Sequence, residues 1–532
     1  MPFMPDPPGI ALVGLPGTGK SVIGRLLAER LGRELCDTDQ LVEQAAGRSV
    51  ADILDQDGEP RFRELEREAL LRACASPGSV IATGGGALND PLNRWALRRH
   101  GILAWLQAPT DVLARRLETD DVPRPLLRGD VPGRLATLLA DRAPFYRAAD
   151  LTVDAGRGTA EVADGLASRA LGASQNGKLF DAEVQRHHPI GPATARVVLG
   201  MDLSRAVYDE ILERESVILA DRRAALAAPE ILAALPVGHR LELSAGERSK
   251  RLRRLEQVLE WMAERRIERG TPLVAFGGGT LGDLAGLAAA LYARGLPLVH
   301  VPTTWLAQVD ASIGGKVAVD LSAAKNMVGA FWPPVAVVSD LAALRTLTRP
   351  RLREGMAEAI KAGLIGDAEL FGLIERRGLE ALRGSEEVRH AITERAVRVK
   401  LAIVERDPFE SGERQHLNLG HTIGHALEVA SGYRLAHGAA VAIGLRSVAS
   451  LAAQRGGDPD LPARLDRLLK RLGYRLQVSL DPALVRAAIG LDKKRERGRQ
   501  RWILPMAIGQ TVEVDDLTEA ELTLAVRAIG LD

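Results

Sequence analysis

The eight residues Gly14–Ser21, GLPGTGKS, constrain what this chain can fold into more tightly than any other segment. They satisfy G-x-x-x-x-G-K-[ST] between the apolar run GIALVG and the amphipathic VIGRLLAERLG, the setting in which that pattern has a physical meaning. Glycines let backbone N–H groups curl around phosphate oxygens, and the helix opening behind them adds its positive end. Gly17, Thr18, Gly19, Lys20, Ser21 and Val22 are therefore expected ATP contacts. Lys20 reaches the β- and γ-phosphates and the Ser21 hydroxyl holds Mg²⁺. An ordinary glycine-rich turn is the competing reading; the complete motif in its strand–helix context outweighs it.

At 532 residues the chain is too long for one ordinary core, so two to four domains are expected. Short apolar runs followed by helical patterns occur in two places: GIALVG, SVIATGGG and GILAWLQAP early, then TPLVAFGGG, LPLVHVP and PVAVVSDL after residue 270. Both read as buried parallel strands of α/β layers. From Leu344 onward the pattern turns to long Ala- and Leu-rich helical segments. The polar, Gly- and Pro-containing stretch 173–195 reads as a linker, dividing the chain into 1–172, 196–345 and 346–532.

Seventy basic residues against 69 acidic ones leave a net charge of +1, so no global field draws in nucleic acid or an anionic membrane. Neither partner is expected. No apolar run reaches the length of a membrane span, and the first residues do not read as a signal peptide. Cys36 and Cys74 make no disulfide framework, which points to a reducing cytoplasm.

Further motifs follow the glycine loop in order: DTD at Asp37–Asp39, GRSVADILDQDGEPRFRELE, GGGA at Gly84–Ala87, RPLL from Arg124 and DRAPFYR at Asp141–Arg147. No guanine-reading NKxD appears, which argues against a GTPase. This order resembles shikimate kinase over residues 8–172. The resemblance implies that Asp39 holds shikimate hydroxyls near the attacking oxygen, while Arg63 and Arg142 clamp the carboxylate as guanidinium forks do. It implies a backbone N–H from Gly85, water-mediated support of Mg²⁺ from Asp37, and Arg124 reaching the phosphates from a lid within LETDDVPRPLLRGDVP.

In the later part FGGGTLGDLAG, Phe276–Gly286, follows a strand and opens a helix, a turn that admits a pyrophosphate but departs from G-x-G-x-x-G. Glu358 and Lys361 are three apart and His421 and His425 four apart, so each pair shares a helix face; His437 follows. Two imidazoles and one carboxylate make an open, catalytic type of site for zinc or a similar ion. Spacing leaves open whether His421, His425 or both are ligands. Asp310, Lys316, Lys325, Asn326, Lys400, Arg414, Asn418, Lys493 and Lys494 supply anion-binding and polar groups in the same half of the chain. The run LDKKRERGRQR has no interleaved aromatic residue before Trp502 and reads as a phosphate-gripping or solvated loop.

This order resembles 3-dehydroquinate synthase over residues 197–532. The resemblance implies zinc or cobalt on Glu358, His421 and His437, with His425 in the substrate pocket. It places NAD against Glu247, Lys250, Gly279, Thr280, Leu281, Gly282, Asp283, Thr303, Thr304, Lys316, Lys325 and the segment Ala343, Leu344, Arg345, Thr346. It places Asp310, Lys316, Asn326, Lys361, Lys400, Arg414, Asn418, His425 and Lys493 around the substrate. Ala245 departs from the family's usual Asp. The expected fold is α/β throughout: a P-loop kinase with a three-layer parallel sheet, then a Rossmann-like NAD subdomain and a mainly helical metal-binding subdomain. The expected activities are those of a bifunctional enzyme of aromatic amino acid biosynthesis, with ATP–Mg, NAD and zinc or cobalt as cofactors and a homodimer through the synthase part. The rivals are a metal-dependent polyol or alcohol dehydrogenase for the second half and a nucleotide-gated P-loop scaffold for the first. The cationic residues argue against the former; Asp39, Arg63 and Arg142 argue against the latter.

Overall fold

The computed structural model describes residues 7–119, 127, 129–188, 191–212, 215–321, 325–490, 495–496 and 499–531. The chain divides into two compact units, Met1–Ala182 with Val198–Val207, and Glu183–Val197 with Tyr208–Asp532.

The first unit is built on five strands, β1 (Gly9–Val13), β2 (Leu35–Asp37), β3 (Val80–Ala82), β4 (Gly101–Gln107) and β5 (Leu151–Asp154). They pair in the order β2-β3-β1-β4-β5, all parallel. Every residue of β1 is buried, as its continuous apolar run requires of a central parallel strand. The chain leaves β1 through a turn in which Gly17 and Gly19 take φ of 83° and 82°, the left-handed region that favours glycine. It then enters the helix Lys20–Leu31, which buries Ile23, Gly24, Leu27 and Ala28.

The second unit holds β8 (Ser216–Asp221), β9 (Val237–Leu243), β10 (Leu273–Gly277), β11 (Leu298–Pro302) and β14 (Ala336–Asp340), with β6 (Lys178–Gln185) and β7 (Thr194–Gly200) at the edge of the same sheet. The order is β6-β7-β14-β11-β10-β8-β9, and the division between the units falls inside β6 and β7. The stretch 173–195, read from the sequence as a linker, carries β6 and the start of β7. Its polar composition hides burial: Lys178 and Asp181 neutralise each other at 3.3 Å, and Phe180 packs on Phe145 with ring centroids 6.1 Å apart. A small antiparallel hairpin, β12 (Lys316–Val319) with β13 (Val328–Phe331), carries Lys316.

Beyond residue 346 the chain is mainly helical, interrupted by two short antiparallel pairs, Arg495–Glu496 with Arg499–Gln500 and Trp502–Ala507 with Gln510–Val514. The helix Arg349–Gly366 is buried along nearly its whole second half, on all sides, and is the axis of this part. Two glycines bring its neighbours close. A side chain at Gly438 would collide with the backbone of Glu354, and one at Gly444 with the carbonyl of Gly420. These contacts seat the helix His437–Gln454 against both His421–Ala430 and Arg349–Gly366. Gly438→Ala must push the His437 helix outward. We expect it to destabilise the synthase unit by about 1–3 kcal/mol and to lower bound metal, read by thermal unfolding and metal analysis of the full chain.

Candidate active sites

In the first unit the residues expected to bind phosphate lie on the turn after β1 and the first turn of the helix Lys20–Leu31. Lys20 Nζ donates to the carbonyls of Gly14 and Leu15, each at 3.0 Å, which folds the lysine back over the loop. The Ser21 and Val22 side chains are exposed. Asp37 caps the helix Thr38–Ala46 with one carboxylate oxygen, accepting from Asp39 N at 3.1 Å and Gln40 N at 3.4 Å.

The glycine run Gly84–Gly86 lies against this turn, where a Cβ on Gly85 would stand 3.2 Å from Pro16. A Cβ on Gly84 would stand 2.7 Å from Asp39 Oδ1 and 2.5 Å from Glu66 Oε1, and one on Gly86 2.6 Å from Arg63 Nη1. Asp39, Arg63, Gly85 and Arg142 are thus gathered around one glycine-lined recess. Arg142 donates to the Gly85 carbonyl at 2.5 Å, joined there by Tyr146 Oη at 3.1 Å. Sequence reasoning overlooked Glu66, which is 1% exposed and accepts from Arg63 Nη1 at 2.7 Å. Burial raises its carboxyl against the opposing pull of Arg63. Its position three residues after Arg63 was the available signal. Arg124 lies outside the described residues.

In the second unit the glycine turn after β10 leads into the helix Gly279–Leu291. A side chain on Gly278 would meet Thr304 at 3.0 Å and one on Gly279 would meet Ala311 at 2.9 Å. The bare backbone at that helix start is the surface a pyrophosphate needs. Around it Lys250 pairs with Asp283 at 2.5 Å and donates to Asn326, while Lys325 pairs with Glu247 at 2.6 Å. Burial pushes the Asp283 carboxyl up to about 6 despite Lys250. Leu281, Ala343 and Leu344 face the core and can offer only backbone. Arg345 is engaged with Glu386 at 2.5 Å, and Thr346 Oγ1 donates to the Ala343 carbonyl.

Glu358, 2% exposed, is the centre of the helical part. Its Oε1 lies 3.1 Å from His437 Nε2 and 3.6 Å from His421 Nε2, and its Oε2 lies 2.6 Å from Lys361 Nζ. His421 turns Nδ1 to the Leu419 carbonyl at 3.1 Å, and His437 turns Nδ1 to Glu428 at 3.3 Å. Both imidazoles therefore present Nε2 toward the same carboxylate. One ligand atom from each of Glu358, His421 and His437 falls within 4.8 Å of the others, the donor set and spread a tetrahedral divalent ion uses. A second trio, His425, Glu428 and His437, meets the same distance limit.

Beside this trio Asp310 binds Lys400 Nζ at 2.6 Å and approaches Lys361 at 3.8 Å. Burial would raise the Asp310 carboxyl; the two ammonium groups outweigh it and hold it below the usual range. Glu358 is likewise held down, to about 2, by Lys361 and His437 against its burial. Burial lowers Lys400 to about 8. Lys316 pairs with Glu410, which also accepts from Asn418 at 3.0 Å. Arg414 is fixed by the carbonyls of Pro408 and Gly314, and Asp407 ties its loop through the N–H groups of Ser411, Gly412 and Arg414. Glu410, Asp407 and Glu428 were not legible as site residues, since their partners are brought in by folding. Lys493 and Lys494 lie outside the described residues.

Comparison with known proteins assigns these two halves. The shikimate kinase family matches residues 16–170, and the N- and C-terminal domains of 3-dehydroquinate synthase match 240–354 and 355–495. A 3-dehydroquinate synthase of Symbiobacterium thermophilum is 39% identical over 353 residues, 65% of this chain and 94% of that protein. The chain belongs to the 3-dehydroquinate synthase family and carries a shikimate kinase domain ahead of it. The synthase part is also similar to a 2-epi-valiolone synthase of Actinosynnema mirum, 38% identical over 61% of this chain and 89% of that protein. A solved structure of ValA, the 2-epi-5-epi-valiolone synthase of Streptomyces hygroscopicus with NAD⁺ and Zn²⁺ bound, is 30% identical with a TM-score of 0.60, covering 65% of this chain and 99% of that one.

The lowered Lys400 gives the synthase site a pH signature. Burial disfavours the charged form of a base, so its cation is present below about pH 8 and lost above it. We expect KM for a phosphorylated, carboxylate-bearing substrate to rise as pH climbs through 8, and Lys400→Arg to shift that rise to higher pH because a guanidinium stays charged. Steady-state kinetics between pH 6.5 and 9.5 on both proteins check it.

Proposed function

We propose that the chain catalyses two reactions: transfer of the ATP γ-phosphoryl group to shikimate, and conversion of 3-deoxy-D-arabino-heptulosonate 7-phosphate to 3-dehydroquinate with release of phosphate. The observation that carries the second assignment is the cationic cluster of Lys361 and Lys400 on Asp310, set directly against the Glu358–His421–His437 trio. A simple polyol dehydrogenase would have no use for such a cradle; a phosphorylated keto acid does.

In the kinase site the chain's work is positioning and charge neutralisation. The Gly14–Lys20 loop and Lys20 hold the triphosphate, and Ser21 and Asp37 hold Mg²⁺. Arg63 and Arg142 take the carboxylate, each already oriented by Glu66 or the Gly85 carbonyl. Asp39, beside Gly84, would accept the hydroxyl proton. Two guanidinium groups around one recess fit a small carboxylate acceptor rather than a nucleotide-gated scaffold.

In the synthase site Glu358, His421 and His437 would hold zinc or cobalt, and the glycine turn with Lys250, Asp283 and Lys325 would hold NAD. When bound, NAD supplies reversible hydride transfer and the metal polarises the reacting alcohol. The chain's own residues bind and orient the rest. Lys361, Lys400 and Asp310 fix substrate oxygens, Lys316, Arg414 and Asn418 bracket an anionic end, and His425 lies beside His421 with ring centroids 5.3 Å apart. Lys361 and Arg414 are 2% exposed, so the charges meet the substrate in a water-poor site where they act strongly.

A homodimer through the synthase part and a reducing cytoplasm belong to the same reading, supported by family membership and by the free Cys36 and Cys74. Among the described residues no helix is long and apolar enough to cross a membrane.

The test separates the two sites on the intact chain. ADP formation is followed with ATP and shikimate, and phosphate release with the heptulosonate phosphate. Lys20→Ala is expected to abolish the first and leave the second, and His437→Ala to do the reverse with loss of bound metal. Unchanged kinase turnover in the former, or full turnover in the latter after metal stripping, would refute the assignments.

A further inference from the structure

Glu428 lies on the helix His421–Ala430, at the i+7 position from His421 and i+3 from His425, so the three share a face. Its Oε2 stands 3.3 Å from His437 Nδ1 on the next helix. Its Oε1 stands 3.8 Å from Lys325 Nζ, which pairs with Glu247 at 2.6 Å and lies 4.2 Å from the Tyr433 ring centroid. The His437 imidazole is thus gripped between two carboxylates, Glu428 on the Nδ1 side and Glu358 on the Nε2 side.

The two histidines of the trio are oriented differently. Behind His421 stands a neutral acceptor, the Leu419 carbonyl; behind His437 stands a charged one. A carboxylate accepting the remote N–H of a metal-binding imidazole fixes its tautomer and ring orientation and strengthens it as a ligand. His437 needs that help more than His421. Both open their helices, but the His437 side chain is the more exposed, 27% against 10%.

We propose that Glu428 is the positioning residue of the metal centre, acting through His437, and that Lys325 steadies Glu428 from the nucleotide side. The proposal rests on the reading of Glu358, His421 and His437 as the metal ligands. Its rival is a direct one, in which His425, Glu428 and His437 themselves hold a second ion.

Zinc titration of the metal-stripped full chain against a chromophoric chelator distinguishes these. The wild type is expected to bind one ion per chain tightly. Glu428→Ala is expected to keep that stoichiometry and weaken affinity by about 10–100-fold, with the metal-free protein still folded. The isosteric Glu428→Gln, whose amide oxygen still accepts the Nδ1 proton, should fall between the two. If the alanine variant does not fold, a weakened affinity in the glutamine variant decides the matter. Wild-type affinity in the folded variants, or two ions per wild-type chain with one lost in Glu428→Ala, would overturn the proposal. His437→Ala and Glu358→Ala are titrated beside them; wild-type binding by those two would instead remove the ligand assignment, whatever Glu428 does.

Discussion

A carboxylate buried as deeply as Glu358 is costly unless its charge is met at close range, and the helical half of the synthase unit is arranged to meet it. Lys361 comes from the same helix one turn on, and His421 and His437 from two others. Gly438 and Gly444 let those helices approach closely enough for the side chains to converge. Asp310 and Lys400 extend the same alternation of charge outward. Such a cluster is a poor way to stabilise a fold, because apolar packing would serve better. It makes sense as a preorganised site that binds a cation at its centre and anions at its edge.

The kinase unit reaches anion binding by another physical route. There the phosphate surface is backbone, opened by glycines in the left-handed region and completed by one lysine that waits on the carbonyls of Gly14 and Leu15. Side-chain charge is concentrated on the acceptor side, around Gly84–Gly86. Every described residue assigned to phosphoryl transfer lies in the first unit, and every described one assigned to cyclisation lies in the second. As the family's pathway is ordered, the two steps are not consecutive. Synthesis of both activities at a fixed ratio therefore accounts for the fusion without any transfer of intermediates.

What the sequence made legible follows from how local the signal is. The phosphate turn is a contiguous motif with a strand before it and a helix after it, and it folds as that context requires. Glu358, Lys361, His421 and His437 could be selected by helical spacing and by resemblance. The choice between His421 and His425 could not be made from spacing, because it depends on the Leu419 carbonyl, which turns His421 Nε2 toward Glu358. Glu66, Glu410 and Glu428 were missed for a related reason. A carboxylate that orients an arginine, lysine or imidazole has no motif of its own, and only folding shows its partner. The strand β6 was hidden because its charged residues, Lys178 and Asp181, are buried as a pair and read as solvent-facing in one dimension.

The central claim is that three groups distant in sequence form one metal centre through Glu358 Oε1, His421 Nε2 and His437 Nε2. A crystal structure of the zinc-loaded full chain, with anomalous data on both sides of the zinc edge, tests it most directly. The account requires a single strong peak within bonding distance of those three atoms. A peak on His437 Nδ1 beside Glu428, or zinc bound away from Glu358, would contradict it.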